Sequence, residues 1–232
     1  MANTAIKGCR FHQGYEISFI LMPLYKTINP NATTQILVWN ITESLEELLA
    51  NVVLKEKTQV RLLSMKSEMH QRAFMSVRML LKEVGYTDFD LHYDQFGKPY
   101  FNDGKHISIT HSHHFSAIII SNETVGIDIE MQREKILRIA DKFVNPTELH
   151  RLKRLDTLDF IKKLTVKWGA KEAIFKIRNE KGISFKDNIL VKPFEIEDQK
   201  ATAILEMGKT AQHFSVCFEE IEEFMLVYAF EI

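Results

Sequence analysis

The segment Val125-Gly126-Ile127-Asp128-Ile129-Glu130 constrains the fold more than any other stretch of this 232-residue chain. Apolar and acidic side chains alternate with period two, the pattern of an extended strand with one face in a core. Ile127 and Ile129 then point inward, and Asp128 and Glu130 share the other face. Gly126 permits close approach of another backbone or of a ligand.

Other periodicities fill in around this strand. Gln35–Ile41 reads as a strand, and a helix is predicted from Thr42 to about Leu54. A longer amphipathic helix, Met65–Val84, stops before Gly85, and Gly97-Lys98-Pro99 forms a turn. Further strands are predicted at Ile107–Ile109, Ala117–Ser121 and Val125–Ile129. Helices follow at Lys135–Lys142, Pro146–Arg154 and Asp156–Lys176. Strands return at Ile189–Pro193, Ala201–Glu206, His213–Glu219 and Phe224–Ile232. An internal echo runs through this series. Phe74, Arg78 and Lys82 repeat the spacing of Trp168, Glu172 and Lys176, and His114-Phe115-Ser116 returns as His213-Phe214-Ser215. A duplication predicts two similar α+β halves, residues 1–121 and 122–232, packed about a pseudo-twofold axis with a ligand crevice between them.

Composition narrows the setting. No apolar run reaches the ~18–20 residues that a membrane span needs. Met1-Ala2-Asn3-Thr4 leads into no signal-peptide pattern, and Cys9 and Cys217 are too few and too distant for a disulfide framework, so a cytoplasmic location is expected. Net charge is −1, yet Met131–Phe185 holds 14 Lys/Arg against 7 Asp/Glu, a local +7. Solvated helices account for such a bias, and so does a basic face for an acidic partner. Aromatic–basic interleaving and zinc-ligand spacing are both lacking, so no nucleic-acid partner is expected.

Two segments carry the chemistry. Asp128 and Glu130 repel each other unless a cation lies between them. Magnesium favours one or two carboxylates together with water and phosphate oxygens. In Trp168-Gly169-Ala170-Lys171-Glu172-Ala173-Ile174-Phe175-Lys176, helical spacing sets Trp168, Glu172 and Lys176 on one face, with Lys171 beside them. Each pattern alone also describes an exposed acidic edge strand or an ordinary helical ion pair. Together they suit a metal-bound pyrophosphate with a nearby base. Thr110-His111-Ser112-His113-His114 has no second Cys/His cluster to complete a zinc site. His111, at a strand end, is placed to contact a phosphate, whereas His113 and His114 read as structural.

With these residues in place, the chain resembles the 4′-phosphopantetheinyl transferases, whose signature is Gly-x-Asp-x-Glu followed some forty residues later by Trp-x-x-Lys-Glu-Ala-x-x-x-Lys or a close variant. Gly126–Glu130 and Trp168–Lys176 match it. Gly97-Lys98-Pro99-Tyr100, Ile109-Thr110-His111-Ser112 and Arg72-Ala73-Phe74 with Arg78 match further family motifs in order. The matches span residues 72–176, and the length resembles the long, surfactin-synthetase-activating type, which acts as a monomer. Gly169 departs from the usual Ser, Thr or Cys and is expected to weaken the helix by about 1 kcal/mol.

The resemblance implies transfer of 4′-phosphopantetheine from coenzyme A to a serine of an acidic acyl or peptidyl carrier protein, releasing adenosine 3′,5′-bisphosphate. It implies magnesium, with manganese as an alternative, held by Asp128, Glu130 and Glu172, and Glu172 as base. Lys171 and Lys176 would hold the diphosphate. His111, beside Thr110 and helped by Arg72 or Arg78, would meet the 3′-phosphate. Gly97, Lys98 and Pro99 would lie near the adenine. Carrier selectivity is expected in Met131–Asp159, with Phe143 in an apolar docking spot. A module that binds coenzyme A or the carrier without catalysis is the alternative.

Overall fold

The computed structural model describes residues 23–232. Cys9 and the N-terminal residues read for a leader lie outside that range.

Two antiparallel sheets, each with a long helix against it, form an α+β fold. The first sheet has the order β1-β2-β6-β5 and is built from β1 (Leu24–Asn31), β2 (Thr34–Asn40), β5 (His106–Ser112) and β6 (Phe115–Ser121). Strand β2 is almost wholly buried, which suits its β-branched and aromatic composition. Between β2 and β5 run α1 (Leu45–Ala50), α2 (Glu56–Leu63) and α3 (Glu68–Glu83), then the short pair β3 (His92–Tyr93) and β4 (Pro99–Tyr100). A reciprocal capping box of Ser44 and Glu47 starts α1. Met75, Val77 and Leu81 of α3 share a core with Leu37, Trp39, Ile107 and Ile118 of the sheet.

The predicted helix of Thr42–Leu54 shortens to α1, because Asn51 caps it. Strand β1 escapes sequence reading: its Lys, Thr, Asn and Pro residues show no clean alternation, and its pairing with β2 carries bulges. Helix α2 likewise has no counterpart among the predicted elements.

The second sheet has the order β7-β11-β10-β9-β8, with β7 (Val125–Met131), β8 (Ile189–Val191), β9 (Lys200–Met207), β10 (Thr210–Ile221) and β11 (Phe224–Glu231). After β7 the chain makes a 3-10 turn at Glu134–Ile139, then α4 (Ala140–Phe143), α5 (Pro146–Leu152) and α6 (Thr157–Arg178). Lys135–Lys142 is therefore a 3-10 turn running into one helical turn. Phe143 is fully buried, edge-on to Trp168 at 5.1 Å, and cannot serve as an exposed docking spot.

Helix α6 lies directly on β7 and β11, and two glycines allow it. A Cβ on Gly126 would stand 2.0 Å from the Ala173 carbonyl oxygen, and one on Gly169 would stand 2.7 Å from Val227 Cγ2. Gly169 thus trades helix propensity for close packing, and it is no weak point in the helix.

The two sheets meet through Ile36, Val38, Phe115 and Ile119 on one side and Val125, Ile127, Ile129, Phe224 and Leu226 on the other. Burying Ile127 and Ile129 stabilises this interface by about 1.5–3 kcal/mol each. Hydroxyls stitch the facing edges: Ile127 N–H donates to Ser108 Oγ, and Ile129 N–H donates to Thr110 Oγ1, both at 3.2 Å. Strand β5 is thereby held beside β7, and that seam positions the site.

Candidate functional site

Alternation along β7 turns Asp128 and Glu130 away from the inter-sheet core and toward α6 and β5. Asp128 is buried, and its Oδ1 accepts from Thr110 Oγ1 at 3.1 Å and from Lys176 Nζ at 2.9 Å. Lys176 Nζ also donates to the Ile127 carbonyl at 2.8 Å. Asp128 Oδ2 is buried and has no hydrogen-bond partner. Burial, with Asp128 and Glu172 nearby, raises the Glu130 carboxyl to about 7, an effect the Trp168 indole and Arg133 partly offset. Glu172 is also raised, chiefly by burial and then by Asp128, against the opposing pull of Lys176.

This cluster has three carboxylates and one nearby ammonium. Among the described residues, no three His, Cys, Asp or Glu side chains stand close enough together to cage a metal ion. The donor set nevertheless fits a hard cation: an orphaned carboxylate oxygen and two carboxyls pushed upward first by burial and then by neighbouring carboxylates are what a divalent ion would relieve.

Beside the carboxylates lies a cavity of about 260 Å³, and Lys176 borders both. Its walls come from α3 (Phe74, Val77, Arg78), the 96–99 turn, β5 (Ile107 to Ile109 and His111) and the end of α6 (Lys176, Asn179), with Arg61 and Tyr93. Arg78 is 2% exposed. Its Nε pairs with Asp88 Oδ1 at 3.0 Å, its Nη1 donates to the Phe74 carbonyl at 2.9 Å, and its Nη2 is buried without a partner. The guanidinium also stacks on Phe74, 3.7 Å from the ring centre, and is one of the cationic groups of the cavity wall. Arg61 stands 5.3 Å from both the Phe74 and Tyr93 rings. Burial, His70 and Lys176 lower the His111 imidazole, partly opposed by Asp128. Burial likewise lowers Lys98, whose Nζ donates to the Ile177 carbonyl at 2.6 Å.

The structure thus gathers Arg78, Gly97, Lys98, Pro99 and His111 at one cavity, and joins it through Lys176 to Asp128. Thr110 sits at the seam, bonded to Asp128 rather than open to the cavity. Two expected residues are elsewhere. Arg72 donates to the carbonyls of Glu43 (2.7 Å) and Ile41 (3.0 Å), and lines a separate cavity with Met69, His113 and His114. Six residues along α3 turn it about 120° away from Arg78, so it does not assist His111. Lys171 is 1% exposed, and its ammonium donates to the carbonyls of Phe185 and Ile189. One residue before Glu172, it is rotated about 100° around the helix, toward β8. Burial depresses it to about 8. It is an internal staple in this structure and not a diphosphate ligand. Arg61, Tyr93, Phe96 and Asn179 escaped sequence reading. The one sequence signal beside them is the Gly97-Lys98-Pro99 turn, which marks the position of the loop and not these side chains.

An acidic cluster on a strand–helix pair thus shares a lysine with a cavity lined by Arg61, Arg78, Lys98 and His111. Comparison with known proteins specifies the class further. Residues 124–229 match the model of the 4′-phosphopantetheinyl transferase superfamily. Over 83 residues the chain is 31% identical to the 4′-phosphopantetheinyl transferase gsp of Aneurinibacillus migulanus, and the alignment covers 36% of this chain and 35% of that relative. The match thus takes in about a third of that relative's length. The matched stretch 124–229 carries Asp128, Glu130, Glu172 and Lys176.

Proposed function

We propose that this protein transfers 4′-phosphopantetheine from coenzyme A to a serine of an apo acyl or peptidyl carrier protein and releases adenosine 3′,5′-bisphosphate. The observation that carries this reading is Lys176, which borders the cavity while its ammonium rests on Asp128. Residues 1–121 would form the coenzyme A-binding half and residues 122–232 the metal-binding and catalytic half.

Coenzyme A would occupy the cavity with its adenine beside Gly97–Pro99. Its 3′-phosphate would face His111 and the free Nη2 of Arg78, and its diphosphate would reach Lys176. Glu172 would take the proton of the serine hydroxyl. The serine oxygen then bonds to the phosphorus bearing the pantetheine arm, and the bond from that phosphorus to the bisphosphate breaks. Lys176 offsets charge on the departing phosphate. Asp128, Glu130 and Glu172 would hold a magnesium ion, or manganese in its place, which supplies further charge neutralisation when bound. Among the described residues no helix is long and apolar enough to cross a membrane. The partner would be an acidic carrier met by the basic Met131–Phe185 segment of a monomeric, cytoplasmic enzyme.

Incubation with coenzyme A, magnesium and an apo carrier, followed by intact-mass measurement, tests the reading. The carrier is expected to gain one phosphopantetheine group. A panel of fatty-acid, polyketide and peptide carriers that all stay unmodified overturns it.

A further inference from the structure

The wall of the cavity formed by the 96–99 turn is fastened to the end of α6 from three sides. Asp94 organises the turn itself: its N–H donates to the Lys98 carbonyl at 3.0 Å and its carbonyl accepts from Gly97 N–H at 3.1 Å. Its Oδ1 accepts from the N–H groups of Phe96 (2.8 Å) and Lys98 (2.9 Å). Its other oxygen, Oδ2, accepts from Asn179 Nδ2 at 3.2 Å. Asn179 is the left-handed cap of α6, with φ of 51°. Lys98 makes the second link, to the Ile177 carbonyl. The Lys181 ammonium, 5.8 Å from the centre of the Phe96 ring, makes the third. Three residues before Asn179 on the same helix is Lys176, whose ammonium is fixed to β7.

We propose that Asp94, Lys98 and Asn179 form a clasp that sets the 96–99 wall at a fixed distance from Lys176. A ligand seated against the turn would thereby be in register with the residues on α6. Asp94 and Asn179 act as positioning residues: one carboxylate holds the turn with one oxygen and the helix end with the other. The clasp itself is independent of the transfer reaction, whereas its kinetic consequence rests on the proposed function.

Asn179→Gly tests the clasp, because glycine keeps the left-handed cap and removes only the amide. Hydrogen exchange in the unliganded protein is expected to speed up roughly tenfold at Phe96, Gly97 and Lys98, with the β10–β11 pairs unchanged, the scale of one hydrogen bond to a charged group. Lys98→Met, which keeps the apolar stem, is expected to shift the same amides. Wild-type exchange at the turn in both variants overturns the clasp, whatever the protein's activity. In the transfer assay, Asn179→Gly is expected to raise KM for coenzyme A roughly fivefold to tenfold while KM for the carrier holds. An unchanged KM for coenzyme A also overturns the proposal. Wild-type protein that transfers nothing sinks the proposed function, and the exchange result still decides the clasp.

Discussion

Lys176 and Asp128 are joined across the boundary between helix and sheet, with Nζ 2.9 Å from Oδ1, while the other Asp128 oxygen is buried and unpartnered. One oxygen of this carboxylate is satisfied from within the protein, and the other has no hydrogen-bond partner. Asp128→Asn removes the charge with little change of shape. Magnesium affinity is expected to fall at least about tenfold, with transfer falling in parallel, as isothermal titration and steady-state assay would show. Equal magnesium affinity in the variant counts against Asp128 as a ligand.

Glu130 makes the metal-free protein sensitive to pH. Its folded carboxyl sits at about 7, above the ordinary 4.5. A raised carboxyl favours the protonated folded state, so its contribution is fully present below about 4.5 and is lost as pH rises through 7. With solvent screening allowed for, the cost above pH 7 is about 1–2 kcal/mol. Glu130→Gln is therefore expected to raise the metal-free Tm at pH 8 by roughly 2–8 °C and to weaken magnesium binding. Thermal melts at pH 5 and 8 check the sign: the gain must be larger at pH 8.

Gly126 and Gly169 set how closely α6 lies on the sheet. Gly126→Ala places a methyl against the backbone of Ala173, which cannot step aside, and is expected to cost about 3 kcal/mol or more. Gly169→Ala meets the Val227 side chain instead. There the gain in helix propensity of about 1 kcal/mol offsets part of the strain, leaving a net loss near 1 kcal/mol. Urea unfolding should rank the two in that order.

Lys171 is expected to serve stability. Lys171→Met leaves the carbonyls of Phe185 and Ile189 without their donor. It should cost about 2 kcal/mol, with KM for coenzyme A unchanged in the folded protein. A rise in KM at wild-type stability would return Lys171 to the phosphate.

The pattern of legibility follows from how each feature is encoded. Asp128, Glu130 and their strand are local: period-two alternation states both the element and its faces. Helix α6 is equally plain, because Asp156 caps its start and no proline interrupts the run to Lys176. Strand β1 was invisible because Leu24–Asn31 carries proline and polar residues at an irregular edge. The aim of a long side chain is another matter. Arg72 and Arg78 share a helix, and Lys171 is adjacent to Glu172; helical geometry separates each pair, but which member faces the cavity depends on how the helix sits on its sheet, as Gly126 against Ala173 sets for α6. The cavity wall of Arg61, Tyr93, Phe96 and Asn179 is drawn from separate segments, and no spacing announces it. Phe143 misled for the opposite reason, being an apolar residue in a basic stretch that the fold buries.

The central claim, that Glu172 serves transfer and not merely the fold, is tested most directly by comparing Glu172→Gln with the wild-type protein. Each is mixed with coenzyme A, magnesium and an apo carrier, and the carrier's intact mass is followed over a single turnover. The account predicts that wild type adds one phosphopantetheine group to the carrier, while the folded variant adds none on the same timescale. A carrier modified by Glu172→Gln at a rate near that of wild type would contradict it.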